Sequence, residues 1–279
     1  MLLNKSILIV LLVFTLNGSF GQSNLFNHEN TLAYANHLFD TKKYLLAKDE
    51  YSRLHFLEPK NEYYQSRLLN SFLFSKNVND GLAVGKTFYE NDSLFPKLVA
   101  KDFLHLLFHS EYRYRTQVFL NSNTTFDPSD LWFYKASNFV LEYKIDSAQN
   151  ILIQQKEDES QNMINLRTIV AQDYAFNPKS KGLAIAMSTL VPGLGKVYAN
   201  SWKDGLAVFV YTSLSAWQSY RGFNKKGVKS FYGWMFASVG TGFYLGNIYG
   251  TIKSIRLRRE KHESIIKQQV KNVVEASFN

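Results

Sequence analysis

The chain has 279 residues, a formal net charge of +9 and no cysteine. That length accommodates a targeting segment, one domain of ordinary size and a membrane module. The missing cysteines exclude disulfides, a thiolate nucleophile and a cysteine-based zinc site.

Met1 to Gly21 reads MLLNKSILIVLLVFTLNGSFG. Lys5 supplies a positive end, Ile7 to Leu16 an apolar run, and Ser19 and Gly21 the small residues before a cut at Gln22. Residues 1–21 are therefore predicted to be a cleaved secretory signal. The run is too short for an ordinary membrane anchor, and export places the next segment outside the cytoplasm.

Residues 22–178 contain few glycines or prolines and no alternating strand pattern. Apolar residues recur at helical spacing, as in Leu32, Ala35, Leu38 and Phe39. The pattern repeats with a period of about 34 residues. In the first unit Ala35 and Ala47 are small enough for two helices to approach. Tyr51 and Leu54 fill the space toward the next unit, and Pro59 stops the second helix. One period later come Leu69, Phe72 and Gly81, with Gly81 in the close-contact place of Ala47. A third unit, Phe103 to Phe119, is poorly marked. Trp132, Ala136, Phe139, Ala148 and Leu152 mark a fourth. These positions resemble the signature of tetratricopeptide repeats. The resemblance implies a short TPR-like α-solenoid whose units bury their faces against each other and whose concave surface binds a protein or peptide. Tyr63, Tyr64, Tyr112 and Tyr114 read either as contacts on that surface or as half-buried helix residues with a wet hydroxyl.

Candidate chemistry is sparse. His105 and His109 share a helix face, with Glu111 close by, but Leu106 stands where the zincin pattern needs glutamate. The pair reads as surface or packing histidines, and no metal site is expected. Asp127-Pro128-Ser129-Asp130 reads as a turn and helix cap before Leu131, with Ser129 or Asp130 accepting from free backbone N–H groups. Lys156 to Ser160 reads as a solvated loop or helix end. Gly193-x-Gly195 lacks the third glycine and the acidic residue of a dinucleotide fingerprint. No catalytic residue and no cofactor are expected, so the chain is read as a non-enzyme.

Residues 179–253 are predicted to form a membrane module. It comprises a re-entrant segment, 182–199, and two uncharged spans, 205–220 and 230–252. Pro192 breaks the first run, while Gly193 and Gly195 permit close backbone approach. Tyr198 and Trp202 suit a membrane interface, and Asp204 is expected to cap a helix starting at Gly205. Gly233, Gly240, Gly242, Gly246 and Gly250 let the second span pack against the first; homo-oligomerisation through that glycine-rich face is the alternative. The order Ser188-x-x-x-Pro192-Gly193-x-Gly195-x-x-Tyr198, Asp204-Gly205, then Gly246-Asn247-x-Tyr249-Gly250 resembles the C-terminal module of a group of bacterial repeat-plus-membrane proteins. Its P-G-x-G-x-x-Y core is similar to small two-helix membrane families with no established activity. Lys196 after Gly195, and Ala199-Asn200 after Tyr198, depart from the usual pattern.

Lysines and arginines crowd around the apolar runs, which points to anionic lipid head groups; no nucleic-acid motif accompanies them, so nucleic acid is not an expected partner. Residues 254–279 form a basic tail whose Ile265, Ile266, Val270, Val273 and Val274 suit a helix lying on the membrane surface. The expected fold is all-α: a short TPR-like solenoid followed by a transmembrane helical hairpin. The expected function is a non-enzymatic, membrane-tethered scaffold that binds a protein partner. Its expected place is the inner membrane of a Gram-negative bacterium, with the repeats in the periplasm. The alternative is a membrane-embedded subunit in envelope biogenesis, transport or lipid handling, with the repeats as docking arm.

Overall fold

The computed structural model of the protein describes residues 27–278. The signal sequence expected at 1–21 lies outside the described residues. Among the described residues there are helices and no strand, which makes the fold all-α. The chain divides into two compact units, one running to Phe126 and the other from Asp127 to Ser277. The division falls inside the stretch 22–178 rather than at its end.

The first unit contains α1 (His28–Asp40), α2 (Tyr44–Leu57), α3 (Glu62–Phe74), α4 (Val78–Gly85), a 3-10 turn (Asp92–Leu94), α5 (Lys97–His109) and α6 (Arg113–Ser122). Each helix packs on the next, and α3 also packs on α5. That is a stack of helical hairpins. Its core includes Phe95, Phe103 and Phe119, with ring centroids 5.0 to 5.4 Å apart. Asn61 starts α3 by accepting from the backbone N–H groups of Tyr63 and Tyr64, satisfying donors that the first helical turn leaves free.

The hairpins share one turn. Lys42 and Lys76 are non-glycine residues in the left-handed region, with φ of 60° and 63°. Each directly follows the helix cap. The N–H of Lys42 bonds to Phe39 O and that of Lys43 to Leu38 O; the N–H of Lys76 bonds to Leu73 O and that of Asn77 to Phe72 O. This is the Schellman pattern, which satisfies terminal helix carbonyls and reverses the chain. The two turns are about 34 residues apart. Five residues after each left-handed residue sits a small one, Ala47 or Gly81. Ala47 is fully buried, and a Cβ on Gly81 would lie 2.7 Å from the Phe72 Cβ. The α5–α6 hairpin departs from this turn. There the Arg113 guanidinium donates to Phe108 O and Ser110 O, and Arg115, at the place of Ala47, pairs with Asp92.

The second unit repeats the device. Its helices are α7 (Pro128–Leu141), α8 (Ile145–Gln154), α9 (Gln161–Ala175), α10 (Lys181–Leu190), α11 (Leu194–Tyr198), α12 (Trp202–Lys226) and α13 (Phe231–Phe278). Tyr143, at φ 59°, turns α7 into α8 with the same bond pair, and Ala148 comes five residues later, fully buried. Asn200, at φ 70°, turns α11 into α12 in the same way, and the residue five later is Gly205.

Several expectations need correction. The cap before Leu131 is not made by Ser129 or Asp130: α7 begins at Pro128 with Asp127 in the cap position. The Ser129 hydroxyl donates instead to Asp158. The segment Lys156 to Ser160 is a largely exposed loop after the end of α8, and Asp158 organises it, accepting from Ser160 N at 2.9 Å, while Arg167 donates to Asp158 O. Burial alone raises the carboxyl's pKa, but the Ser129 and Ser160 hydrogen bonds and Arg167 outweigh it and hold it below the ordinary range.

The tail is not a separate surface helix. It continues α13, a single helix of 48 residues, and its Ile266, Val270 and Val274 are buried within the protein. The Ser277 hydroxyl reaches Tyr134 on α7. His262 lies 2.9 Å from Asp173 on α9 and stacks on Phe176. Tyr143 donates to the same Asp173 at 3.0 Å; burial and that carboxylate push its hydroxyl up to about 12. Of the expected apolar stripe, Ile266, Val270 and Val274 are thus covered by protein, whereas Val273 is half-buried and Ile265 exposed.

The transmembrane spans expected at 205–220 and 230–252 find no support in helix length and apolarity. Among the described residues no helix is long and apolar enough to cross a membrane. The stretches 205–220 and 230–252 carry many Gly, Ser, Tyr and Trp residues, which lower their mean hydropathy, and the first is short.

Two stability outcomes are expected. Gly81→Ala gains about 1 kcal/mol of helix propensity, yet its Cβ meets Phe72, so the full-length variant is expected to melt below the parent by the equivalent of about 1–3 kcal/mol; an increase in melting temperature contradicts the crossing at Gly81. Asp158 has a depressed folded pKa, so its stabilisation is present above the unfolded pKa and is lost as pH falls through the folded one. Asp158→Asn should melt below the parent at pH 7, and the two curves should converge in strong acid; a constant gap contradicts the ionised role.

Candidate functional site

The candidate site is the place where α10, α11, α12 and α13 meet. Ser180 caps α10, accepting from Leu183 N. The helix ends at Leu190, and Pro192 lies in the break. Gly193 then takes φ 89°, which an L side chain resists. A Cβ there would collide with the carbonyl oxygen of Gly205, and one on Gly205 would lie 2.6 Å from Gly193 O. The start of α11 and the start of α12 therefore touch backbone to backbone.

Polar side chains from α10 and α13 tie this contact together. Asn247 accepts from Gly193 N and donates to Ser188 O, both at 3.2 Å. Thr251 donates to Asn247 O at 2.9 Å. Its single hydroxyl proton is thereby used, so Ser188 must donate to Thr251 across their 2.7 Å contact. Ser188 in turn accepts from Gly195 N at 3.1 Å. The chain of donors runs from Gly195 through Ser188 and Thr251 to the Asn247 carbonyl. Ser188, Asn247 and Thr251 are buried, and each is satisfied, as burial of polar groups in a low dielectric demands. Gly195 has no room for a side chain, since a Cβ would strike Ala184 O and the Ser188 hydroxyl.

The motif residues separate into two groups. Pro192, Gly193, Gly195, Gly205 and Asn247 converge on this knot. Gly250 adjoins it, leaving space that the Lys196 side chain occupies. Tyr198 packs on the buried Ala184, Ala199 and Ile255, with the Lys179 ammonium 4.8 Å above its ring. Asp204, Tyr249 and Gly246 are exposed and stand apart. Asp204 does not cap a helix at Gly205: α12 starts earlier, at Trp202 after Ser201, because the left-handed Asn200 sets where the helix begins, and Asp204 lies in its first turn. The glycine face divides as well. Gly233 and Gly240 approach α12, whereas a Cβ on Gly242 or Gly246 would meet nothing within 4 Å.

Among the repeat residues, Ala35, Ala47, Tyr51, Ala136 and Ala148 are fully buried. Gly81 is buried, Trp132 is half-buried and Pro59 is exposed just beyond α2. Tyr64 is buried, whereas Tyr112 and Tyr114 are exposed. His105 and His109 have ring centroids 5.1 Å apart on α5. Sequence reasoning misses Thr251. Its signal is the spacing: it lies one helical turn after Asn247, so both polar groups share a face in an uncharged stretch.

Comparison with family models, curated proteins and solved structures finds no match.

The side chains of the knot, Ser188, Asn247 and Thr251, are spent on hydrogen bonds to backbone and to one another and act as a staple. Asn247→Leu strands a buried N–H at Gly193 and a buried C=O at Ser188. At about 1–3 kcal/mol for each unsatisfied group, the full-length variant in detergent should lose on the order of 2–6 kcal/mol or fail to fold. Gly246→Ala, facing open space, should be neutral or slightly stabilising. Equal melting of Asn247→Leu and the parent contradicts the staple.

Proposed function

We propose that this protein is a non-enzymatic scaffold of the bacterial cell envelope. In this reading the helical repeats present a protein-binding surface and the α12–α13 hairpin inserts into a membrane. The observation that carries it is the inverted polarity of the hairpin. Large apolar side chains point outward, among them Leu206, Phe209, Leu214, Trp217, Val239 and Phe243. The residues buried where the two helices meet are small or polar, Ser215, Ser219, Gly222 and Gly233, and the buried Gly205 and Asn247 face α10 and α11. Water favours the opposite arrangement. Helices that pack in lipid use small and hydrogen-bonding residues at their contacts and turn bulky apolar ones to the acyl chains.

The tail supports one side for both ends of the hairpin. Because the end of α13 packs on α7 and α9 through Tyr134 and Asp173, the chain that enters the hairpin and the chain that leaves it lie together. A third crossing would separate them. A secretory signal at the N-terminus would put that side in the periplasm, with the hairpin in the inner membrane.

The repeat unit offers a surface for a partner. On α2, Leu45 and Phe56, and likewise Leu46 and Leu57, are eleven residues apart and so share a stripe; all four are exposed, Phe56 at 82 %. A stripe of this kind suits an apolar helix of another protein.

Alkaline carbonate extraction of membranes tests the reading. The protein is expected to stay in the pellet, since apolar insertion survives conditions that release peripheral proteins. Release into the supernatant contradicts it.

A further inference from the structure

The tip of the hairpin carries a cleft of about 620 Å³ between the end of α12 and the start of α13, lined by Arg221, Lys225, Lys226 and Lys229 with Ser230 and Tyr232. The sequence holds no Asp or Glu from 205 to 259. Among the described residues no ion pair joins any of the four cations. Four positive groups thus converge on one cavity without a carboxylate, and their mutual repulsion has no internal relief.

The cleft is held in shape by its frame. A Cβ on Gly222 would lie 2.6 Å from Gly233 N, so the two helix backbones nearly touch beneath it. The Ser219 hydroxyl donates to Gly233 O. Gly227, at φ 60° and ψ −157°, takes a conformation open essentially to glycine alone. The Trp234 indole donates to Val228 O at 2.9 Å and pins the turn. Beside the cations, Val228 and Phe231 are 80 % and 84 % exposed. An apolar pair next to a cationic cleft matches a ligand with an anionic head and an acyl body.

We infer that the Arg221–Lys229 cleft is a binding site for the phosphate of an anionic phospholipid, with Val228 and Phe231 against its acyl chains. Arg221, stacked 5.1 Å over Trp217, presents a planar fork suited to phosphate oxygens, and the three lysines supply charge around it. The inference rests on membrane insertion of the hairpin.

Electron spin resonance on the full-length protein tests it. The protein is reconstituted in phosphatidylcholine vesicles containing a trace of spin-labelled phosphatidylglycerol or spin-labelled phosphatidylcholine. Flotation first reports insertion, and failure to float overturns the membrane reading and the site together. In floating protein, the immobilised fraction should favour phosphatidylglycerol by about threefold or more, as expected for several cations at a lipid surface. The combined substitutions Arg221→Gln, Lys225→Gln, Lys226→Gln and Lys229→Gln should remove that preference while flotation persists. A charge-matched variant with Lys42, Lys60, Lys261 and Lys271 changed to Gln should keep it. Equal loss in both variants, or no preference in the parent, overturns the site and leaves insertion standing. Inorganic phosphate at constant ionic strength should not displace the labelled lipid; displacement assigns the cleft to free phosphate and overturns the lipid.

Discussion

A helix that ends in a left-handed residue, with its last carbonyls bonded to the two N–H groups beyond the cap, sends the chain back along its own side. The returning helix must then pass close to the first, and only a small residue fits at the crossing. Lys42, Lys76, Tyr143 and Asn200 make this turn, and Ala47, Gly81, Ala148 and Gly205 stand at the same offset beyond them. The repeat hairpins and the candidate membrane module are therefore built on one local device. At the last of them both sides of the crossing are glycine, and the approach tightens until Gly193 and Gly205 meet through backbone atoms. The shared offset explains why the small residues stand where they do without any appeal to function.

What differs between the hairpins is what surrounds the crossing. In the first unit large aromatic side chains such as Phe103 and Phe119 point inward and fill the core. In the α12–α13 hairpin large side chains point out and the helices meet through Ser215, Ser219, Gly222 and Gly233, while Ser188, Asn247 and Thr251, hydrogen-bonded to backbone and to one another, tie α13 to α10 and α11. A satisfied polar knot needs no hydrophobic drive to stay closed, which suits a setting where the surroundings are as apolar as the side chains. The long α13 joins the two settings. Its first half belongs to the hairpin, and its second half docks on α7 and α9.

Much of the helical architecture is legible in the sequence because it rests on local chemistry. The period about Ala47 and Gly81 reflects crossings that admit only small side chains, and Pro192 with Gly193 marks a break that no helix could bridge. The rest depends on distant partners. Nothing near Ser129 in sequence announces that its hydroxyl turns to Asp158, and the stripe of Ile266, Val270 and Val274 reads alike whether it meets lipid or protein. Asp204 resembles a cap because aspartate commonly is one; the left-handed Asn200, invisible to composition, starts the helix before it. Five glycines on one helix suggest a single packing face, yet only their rotation about α13 tells which of them meet α12. Mean hydropathy averages the two faces of the hairpin, so residues buried at its helix contact lower the value for a pair whose exposed side chains are largely apolar.

Membrane insertion as proposed requires the outward face of the α12–α13 hairpin to lie in lipid. The chain has no cysteine, so single nitroxide labels can be placed at Phe209, at Val239 and, as a reference, at the exposed Tyr114. Collision rates with molecular oxygen and with a water-soluble nickel chelate, measured by electron spin resonance in reconstituted vesicles, separate hydrocarbon from water. The account predicts that labels at Phe209 and Val239 collide with oxygen and are shielded from nickel, while the label at Tyr114 collides freely with nickel. Nickel collisions at Phe209 and Val239 as frequent as at Tyr114 would contradict it.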